Sequence, residues 1–251
     1  NRLYRTRPKR KCIMKLGVTS NNGIYANDYS IEFNGSTQYI EVDTLAGKCG
    51  VNTGTISFWA KIPTLSSTGF IFRAQAGTAS SPDNLLQVIY HASSNQMRIS
   101  YKGATSTRTA AIDNGDTDIE GQGWKHFVCT YDTSANEIKI YMNGVLKDTK
   151  DDQSINAFDA TLDNCDIGRQ TGSGSAHFKG QICDLAIFEE VISATTLYNG
   201  GVPFDLTGMV SLKGYFKFQE GTTSIATPVD SSGQGTSADA ANSPTYSTDT
   251  P

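Results

Sequence analysis

Residues 123–149, GWKHFVCTYDTSANEIKIYMNGVLKDT, hold strand-like runs, two of them joined by Asn143-Gly144. An Asn-Gly pair accepts the two positive φ angles of a type I′ turn, and the twist of this turn matches that of the flanking strands. The stretch therefore predicts a tight β-hairpin. With a two-residue loop, the predicted cross-strand pairs are Met142 with Val145, Tyr141 with Leu146, and Lys139 with Asp148.

Apolar and polar residues alternate along these runs. In TISFWAKI, Ile56, Phe58 and Ala60 share one face, and the residues between them share the other. Residues 138, 140 and 142 are apolar in the same alternating way. One apolar and one wetter face per strand is typical of antiparallel sheets packed in two layers.

About a dozen such runs lie between clusters of Gly, Asn, Asp and Ser, as expected for an all-β chain. They predict an antiparallel two-sheet β-sandwich rather than alternating β and α units. One short helix is expected, with Ser193 as its N-cap and Gly200-Gly201 at its end. The predicted strands are residues 30–35, 38–43, 54–62, 69–74, 85–91, 96–103, 123–132, 137–144, 145–150, 164–170, 177–190 and 212–220.

Charge is distributed unevenly along the 251 residues, whose net charge is −4. Seven of the 21 Lys and Arg residues lie in the first 15 positions, whereas all 25 acidic residues come later. The chain is predicted to divide into a basic N-terminal arm (1–29), a sandwich (30–220) and an extended, irregular tail lying on the sandwich (221–251). The residues assigned to assembly in the arm are Arg2, Arg5, Arg7, Lys9, Arg10 and Lys11.

Three partners suit such an arm: a neighbouring subunit, nucleic acid or another anionic surface; a solvated terminus is the plain alternative. We favour insertion into a partner subunit of a homo-oligomer or larger assembly, because a single sandwich needs extra contacts to join its neighbours. Nucleic acid is disfavoured for the acidic body and stays open only for the arm. No run of 18 or more apolar residues occurs, so membrane insertion is not expected.

Five cysteines occur, at positions 12, 49, 129, 165 and 183, without the CxxC spacing of a zinc or redox motif. Cys165 and Cys183 are candidates for a disulfide if their strands are neighbours. The alternative is that both thiols are free, since the sequence does not identify the redox compartment.

Five segments, in order, resemble the laminin G-like, concanavalin A-type jelly roll. The resemblance covers about residues 30–235 and implies two antiparallel sheets in one domain. It also implies a carbohydrate- or protein-binding module, often with one calcium at the rim, of the kind found in bacterial and phage surface proteins. The matching segments are Trp124–His126, the Tyr-x-Asn-Gly hairpin at 141–144, Ile-Gly-Arg at 167–169, Phe-x-Gly-x-Ile at 178–182 and Leu-Tyr-Asn at 197–199.

The family also includes glycoside hydrolases, and a retaining enzyme needs two carboxylates about 5–5.5 Å apart. The Glu-x-Asp-x-x-Glu strand of those enzymes does not occur in this sequence. His91, His126 and His177 lack the spacing of zinc ligands. We interpret His126 as a structural hydrogen bonder and Trp124 as a core residue, so no catalytic residue is assigned.

Calcium is the candidate cofactor, because it takes six to eight oxygen ligands of the kind that loop carboxylates and amides supply. The resemblance favours Asp83 and Asn84, since the laminin G pattern places an Asp ahead of that strand. The plain alternative is that these residues only form turns. The candidate calcium ligands are Asp83, Asn84, Asp151 and Asp152, with Asp163 and Asn164 as further donors.

A glycan would need exposed aromatic rings beside fixed polar groups. Tyr90, Tyr101 and Tyr141 are the candidate rings, and Arg73 and Arg98 are the candidate donors. The alternative for sheet tyrosines is packing against their neighbours.

These patterns favour a non-enzymatic structural or adhesion module that is extracellular or exposed on a cell or virion surface. It would assemble through its arm and recognise glycans or proteins through its rim loops. A calcium-dependent lectin is the first alternative, and a glycoside hydrolase of the same fold is the second.

Overall fold

A computed structural model describes residues 25–64, 67–104, 107–112, 119–152, 154–221 and 227–251. Within these ranges, fifteen strands form two antiparallel sheets, and the predicted two-sheet sandwich is confirmed. The basic residues assigned to the arm, from Arg2 to Lys11, lie outside the described ranges.

The first sheet has eight strands. In spatial order, seven of them are β10 (Val145–Lys150), β9 (Glu137–Met142), β8 (Trp124–Asp132), β3 (Thr53–Lys61), β12 (Lys179–Phe188), β1 (Ser30–Asn34) and β15 (Thr245–Ser247). The eighth, β13 (Leu212–Phe216), pairs with the second half of β12, beyond the part that pairs with β1.

The second sheet has seven strands. Their order is β14 (Asp239–Ala241), β2 (Tyr39–Glu41), β11 (Asn164–Ile167), β4 (Gly69–Gly77), β5 (Pro82–His91), β6 (Gln96–Lys102) and β7 (Arg108–Ala111). The short helices are α1 (Asp43–Ala46) and α2 (Ala194–Tyr198), with single 3₁₀ turns at Ala92–Ser94 and Asn199–Gly201. None of the helices in the described ranges is long and apolar enough to cross a membrane.

The main core lies between the two sheets. Ile56 and Phe58 of β3 are fully buried there, and the rings of Phe58 and Phe127 are stacked with centroids 5.4 Å apart. Phe72 and Val88 belong to the same cluster from the second sheet. Burying each such side chain stabilises the fold by about 1.5–3 kcal/mol. The alternation in the sequence correctly identified the inward face of β3.

The outer face of β3 is less exposed to solvent than predicted. Ser57 is 1% exposed and Trp59 is 6% exposed, because the chain that follows β12 folds back over this side of the first sheet. Leu197 of α2 belongs to a second apolar cluster there, together with Val128 and Tyr215. The expectation of a wetter outer face is therefore wrong for this part of the sheet.

Helix α2 begins and ends where the sequence predicts. The Oγ atom of Ser193 accepts a hydrogen bond from Thr196 N at 3.4 Å, which satisfies one of the free amides of the first turn. Asn199 ends the helix in the left-handed conformation, with φ 47°. The single turn of α1 was not predicted.

The hairpin between β9 and β10 has the predicted turn, with φ 51° at Asn143 and 75° at Gly144. Its first two cross-strand pairs, Met142 with Val145 and Tyr141 with Leu146, are confirmed. The predicted pair of Lys139 and Asp148 is wrong, because an irregularity between Leu146 and Asp148 shifts the register. Asp148 lies opposite Ile140 and accepts a hydrogen bond from Ala111 N at 2.9 Å, which joins the edge strands of the two sheets.

Part of the predicted irregular tail forms strands. β14 pairs with β2 in the second sheet, and β15 pairs with β1 in the first sheet. Each is only three residues long, so neither shows an alternation that sequence analysis could detect. The segment completes the edge of both sheets, and the description of these residues as irregular is wrong.

The cysteines within the described residues are free thiols, namely Cys49, Cys129, Cys165 and Cys183, and all four are buried. Cys165 lies on β11 in the second sheet, whereas Cys183 lies on β12 in the first sheet. Their strands are not neighbours, so the disulfide considered from the sequence does not form. Cys12 lies outside the described residues.

Candidate functional site

A groove of about 450 Å³ lies on the first sheet, where β3 ends and β12 begins. This volume is within the range of about 300–1,000 Å³ that small-molecule sites occupy. We call it the outer groove. It is defined by Glu32, Lys61, Thr64, Gly123, Gln181 and Asp249.

The floor of the outer groove is a row of polar side chains from three adjacent strands. In the sheet register, Gln181 of β12 lies between Lys61 of β3 and Glu32 of β1. Neighbouring strands are about 4.8 Å apart, so the row presents an ammonium, an amide and a carboxylate at regular intervals. Trp124 of β8 lies opposite Lys61 and extends the row by one strand.

Asp249 closes one side of the groove. Its Oδ2 atom forms an ion pair and hydrogen bond with Lys61 Nζ, and its Oδ1 atom accepts a hydrogen bond from Trp124 Nε1 at 2.9 Å. These two donors lower the pKa of the Asp249 carboxyl, Lys61 having the larger effect. Trp124 is half-buried beside the groove, so its interpretation as a core residue is corrected.

Gly180 lets β12 pass close to β3 at the floor of the groove. Its φ is 145°, and a Cβ added there would lie 2.6 Å from the carbonyl oxygen of Lys61. A larger residue would therefore push the two strands apart and displace the row of polar side chains.

Arg73 was predicted as a ligand donor and lies on the outer face of the second sheet, but it is only 4% exposed. Its guanidinium donates to the side chains of Gln75 (2.7 Å) and Gln87 (3.1 Å) and to the carbonyl oxygen of Ala79 (2.9 Å). Burial lowers the pKa of Arg73 to about 10. Its donors are therefore used within the protein.

Arg98, the second predicted donor, lies on the same sheet face as Arg73, with β5 between them. It is half-buried, and its guanidinium donates to Gln96 Oε1 at 2.8 Å and to Ser94 Oγ at 2.9 Å. The structure thus places both arginines on one face, and Arg98 is the more exposed of the two.

The tyrosines predicted to stack on a sugar are not exposed. Tyr90 and Tyr101 are 0% and 1% exposed and belong to the main core, because they share the strand face of Val88 and Ile99. Tyr141 is partly buried and packs against the second apolar cluster. The expectation that these rings are available for stacking is therefore wrong for Tyr90 and Tyr101 and stays a prediction for Tyr141.

The calcium candidates are not brought together. Asn84 is fully buried, and its amide exchanges hydrogen bonds with Asp159, donating to Oδ1 at 2.8 Å and accepting from the backbone N at 3.3 Å. Asp83, Asp151 and Asp152 are exposed.

Asp163 accepts a hydrogen bond from the neighbouring Asn164 at 2.5 Å. Across the described ranges, no three His, Cys, Asp or Glu side chains gather into a metal site. Calcium also accepts amide, backbone and water oxygens, which such a grouping leaves out, so the calcium site stays a prediction.

His126 has the structural role expected of it. It is 2% exposed, and its Nε2 atom lies 2.9 Å from Ser57 Oγ. The ring packs against both Trp59 and Tyr198, with centroid separations of 4.9 and 5.9 Å. Burial lowers the pKa of His126 to about 3, so the imidazole is neutral at physiological pH.

Sequence reasoning missed the outer groove. Glu32, Lys61 and Gln181 are ordinary solvent-facing positions on their own strands, and Asp249 lies in the segment interpreted as an irregular tail. They could have been found by combining two things. One is the set of residues on the outward face of each of β1, β3 and β12, and the other is the order in which these strands pair.

Solved structures share this fold. One is a protein from Bacteroides ovatus to which carbohydrate binding has been ascribed, with a TM-score of 0.67, 17% identity, and coverage of 88% of this chain and 59% of that chain. The chain thus spans about three-fifths of the length of that protein.

Another is the CBM40 domain of the Ruminococcus gnavus IT-sialidase, bound to α2,3-sialyllactose, with a TM-score of 0.54, 19% identity, and coverage of 68% and 95%. A third is the heptameric SAP-like pentraxin of Limulus polyphemus, with a TM-score of 0.54, 14% identity, and coverage of 86% and 95%. At these identities the likeness shows the fold.

No curated protein matches the chain. A laminin G-like family does match, over residues 34–197, from the last residue of β1 into α2. This is more than half of the 251 residues, and it contains the hairpin and the short helix on which the resemblance was based. The chain belongs to the concanavalin A-like lectin/glucanases superfamily.

Proposed function

We propose that the chain is a non-catalytic glycan-binding module and that its ligand lies in the outer groove. The observation that carries the proposal is the row of Glu32, Gln181 and Lys61 on the groove floor. Sugar hydroxyls are both donors and acceptors, and a row that alternates ammonium, amide and carboxylate offers partners for both. Two proteins of the same fold support this assignment, one to which carbohydrate binding has been ascribed and one bound to α2,3-sialyllactose.

Hydrolysis in the groove is disfavoured, although two carboxylates line it, those of Glu32 and Asp249. A glycosidase needs one carboxyl with a raised pKa to act as general acid. The pKa of Asp249 is lowered, and both of its oxygens are occupied by Lys61 and Trp124. The arrangement favours binding without cleavage.

Glycan-array binding of the purified chain tests the proposal. The variants Lys61→Ala and Gln181→Ala each remove one side chain of the row, and we expect each to weaken binding by about tenfold. Arg98→Ala is the matched control, because it removes a sequence-predicted donor on the opposite sheet. Loss of binding in Arg98→Ala, with the groove variants unaffected, would move the site to the second sheet.

Cleavage is tested with the same glycans. After prolonged incubation with the chain, each bound glycan should be recovered intact by mass spectrometry. Release of a shorter product that is abolished in Glu32→Gln would support the hydrolase alternative instead.

Assembly through the basic arm is a second proposal. It is supported by the last residues of the arm, because Tyr25 is hydrogen-bonded to Asp184, and the backbone N of Tyr29 donates to Gln219 at 3.0 Å. The arm would thus extend from a point that these hydrogen bonds fix to the sandwich. If deletion of residues 1–16 leaves the particle mass unchanged by light scattering, assembly does not use the arm.

The location we propose is extracellular or on a cell or virion surface. A glycan-binding module of this superfamily is suited to a place where glycans are displayed. Surface labelling of intact cells or particles with a membrane-impermeant amine reagent tests it, and the result expected is labelling without lysis.

A further inference from the structure

We propose that Lys61 and Trp124 form a carboxylate-binding subsite in the outer groove, and that Asp249 is an internal occupant which an acidic sugar displaces. The inference rests on the proposed function, since it names the chemical class of the glycan. It is drawn from the contacts of one carboxylate with two donors.

The two donors contact different oxygens of the Asp249 carboxylate. Lys61 Nζ contacts Oδ2, and Trp124 Nε1 donates to Oδ1 at 2.9 Å. A cation on one oxygen and a rigid N–H on the other is a geometry specific for a carboxylate, because each of its two oxygens accepts from a donor of its own.

The donor pair is built by the sheet and does not depend on Asp249. Lys61 and Trp124 lie directly opposite each other on the adjacent strands β3 and β8, so nine consecutive register pairs hold their backbones in place. The subsite is therefore in position to bind a carboxylate from another molecule if Asp249 moves aside.

The Asp249 side chain is held only weakly by its ion pair with Lys61. The side chains of Lys61 and Asp249 are 38% and 39% exposed, and ion pairs as exposed as this contribute little to stability. The segment itself is held by other contacts, since Ser30 Oγ donates to the carbonyl oxygen of Asp249 at 2.7 Å. The Asp249 side chain can rotate away without release of the segment from β1.

The rest of the groove favours an acidic sugar over an acidic peptide. Beside the subsite, Gln181 and Glu32 continue the row with an amide and a carboxylate, which suit hydroxyl groups. A second carboxylate on a peptide would approach Glu32 and be repelled. Lys179, also in the groove, adds to the positive charge that draws in a single carboxylate.

Indole N–H signals report directly on this subsite. The chain has two tryptophans, and Trp59, two residues before Lys61 on β3, does not line the groove; it is 6% exposed and packs against His126 and Tyr198. Glucuronate and glucose are matched probes, because they differ only in the carboxylate. In ¹H–¹⁵N spectra of the full chain, glucuronate should move the Trp124 signal, identified with Trp124→Phe, more than the Trp59 signal.

Removal of the internal occupant should strengthen binding. We expect Asp249→Ala to lower the glucuronate concentration at half-saturation by about threefold to fivefold, the effect of losing a weak exposed competitor. Asp249→Asn keeps the shape without the charge and should act in the same direction. Lys61→Ala should abolish the glucuronate shift, and in the wild type and both Asp249 variants glucose should move the Trp124 signal less than glucuronate does.

Other results would overturn the inference. Unchanged or weaker glucuronate binding in both Asp249 variants would make Asp249 a ligand contact or a structural residue. An equal shift with N-acetylaspartyl-glutamate would exclude a preference for sugars. If neutral glycans still bind the groove on the array, only the carboxylate subsite fails; if no glycan binds any variant, the proposed function itself fails.

Discussion

The side chains of Tyr25 and Asp184 are hydrogen-bonded although they lie 159 positions apart in the chain. Tyr215 donates to the same Oδ1 atom at 2.8 Å. Asp184 is 4% exposed, and its Oδ2 atom has no hydrogen-bond partner among the described residues. A buried carboxyl with one unpartnered oxygen thus joins the start of the described chain to β12 and β13.

The stability of the fold should depend on the ionisation of Asp184. Burial raises the pKa of Asp184 from 3.8 to about 6. Between these values the folded state keeps a proton that the unfolded state has released, so the contribution of Asp184 is favourable at acid pH and is lost as the pH rises from about 4 to 6.

Urea unfolding of wild type and Asp184→Asn at a series of pH values measures this effect. The free energy of unfolding of wild type, relative to the variant, should fall by about 1–3 kcal/mol across that window, because one pKa unit corresponds to about 1.4 kcal/mol. A difference that does not change with pH would show that Asp184 ionises normally in the fold.

His126 should affect the pH dependence of stability in the opposite direction to Asp184. Its pKa falls from 6.5 to about 3 on burial, so on acidification the unfolded state binds the proton first. Its contribution to stability is therefore lost as the pH falls below about 6.5, by roughly 2 kcal/mol at a pH of about 5.

Two measurements check the behaviour of His126. The wild type should lose stability relative to His126→Gln on acidification, and the His126 ring signals in NMR spectra should stay constant down to a pH of about 4. Titration of those signals near the ordinary value would contradict the prediction.

Gly144 should not tolerate alanine. Its φ is +75°, and an added Cβ would lie 3.0 Å from Tyr198 Cδ1, at the contact between the hairpin turn and α2. Gly233 is the matched control, with φ +77° and no atom within 4 Å of an added Cβ.

Both substitutions strain the backbone by about 1–2 kcal/mol. Gly144→Ala should cost about 1 kcal/mol more than Gly233→Ala, because the Tyr198 ring must also shift. Thermal melts of both variants measure the difference. Equal losses would mean that the turn and α2 are not in firm contact.

The four described thiols should be inert in the native protein. Cys49, Cys129, Cys165 and Cys183 are buried, and burial raises the pKa of the Cys49 thiol to about 12. In a Cys12→Ser variant, Ellman's reagent should detect no thiol natively and all four in denaturant without reductant. Detection of only two in denaturant would indicate a disulfide.

Calcium should have little effect through the described residues, because the amide of Asn84 is engaged with Asp159 and the exposed acidic candidates are not gathered. We expect the melting temperature to be unchanged by calcium or by a chelator. A rise with calcium would support the lectin alternative, since a bound ion stabilises the folded state.

Local chemistry made part of this fold predictable. The positive φ angles of Asn143-Gly144 and the cap of Ser193 depend on residues within a few positions of each other, and both are confirmed. The alternation of Ile56 and Phe58 with polar residues likewise required only the period of a strand. These features identified an antiparallel sandwich and its family.

The alternation of residues along a strand tells which side chains share a face. It does not tell which face is covered by other parts of the chain. Tyr90 and Tyr101 were therefore placed outside although they lie in the core, and Trp124 was placed in the core although it borders the groove. The covering elements come from distant parts of the chain, so burial depends on tertiary packing.

The sequence by itself determined most of the strands, the hairpin turn and the sandwich class, because these depend on contacts within one or two strands. Only the tertiary structure decided that Glu32, Gln181 and Lys61 form one row and that Asp249 reaches Lys61 and Trp124. Those contacts depend on the order and register of strands far apart in the chain, and no local pattern specifies either.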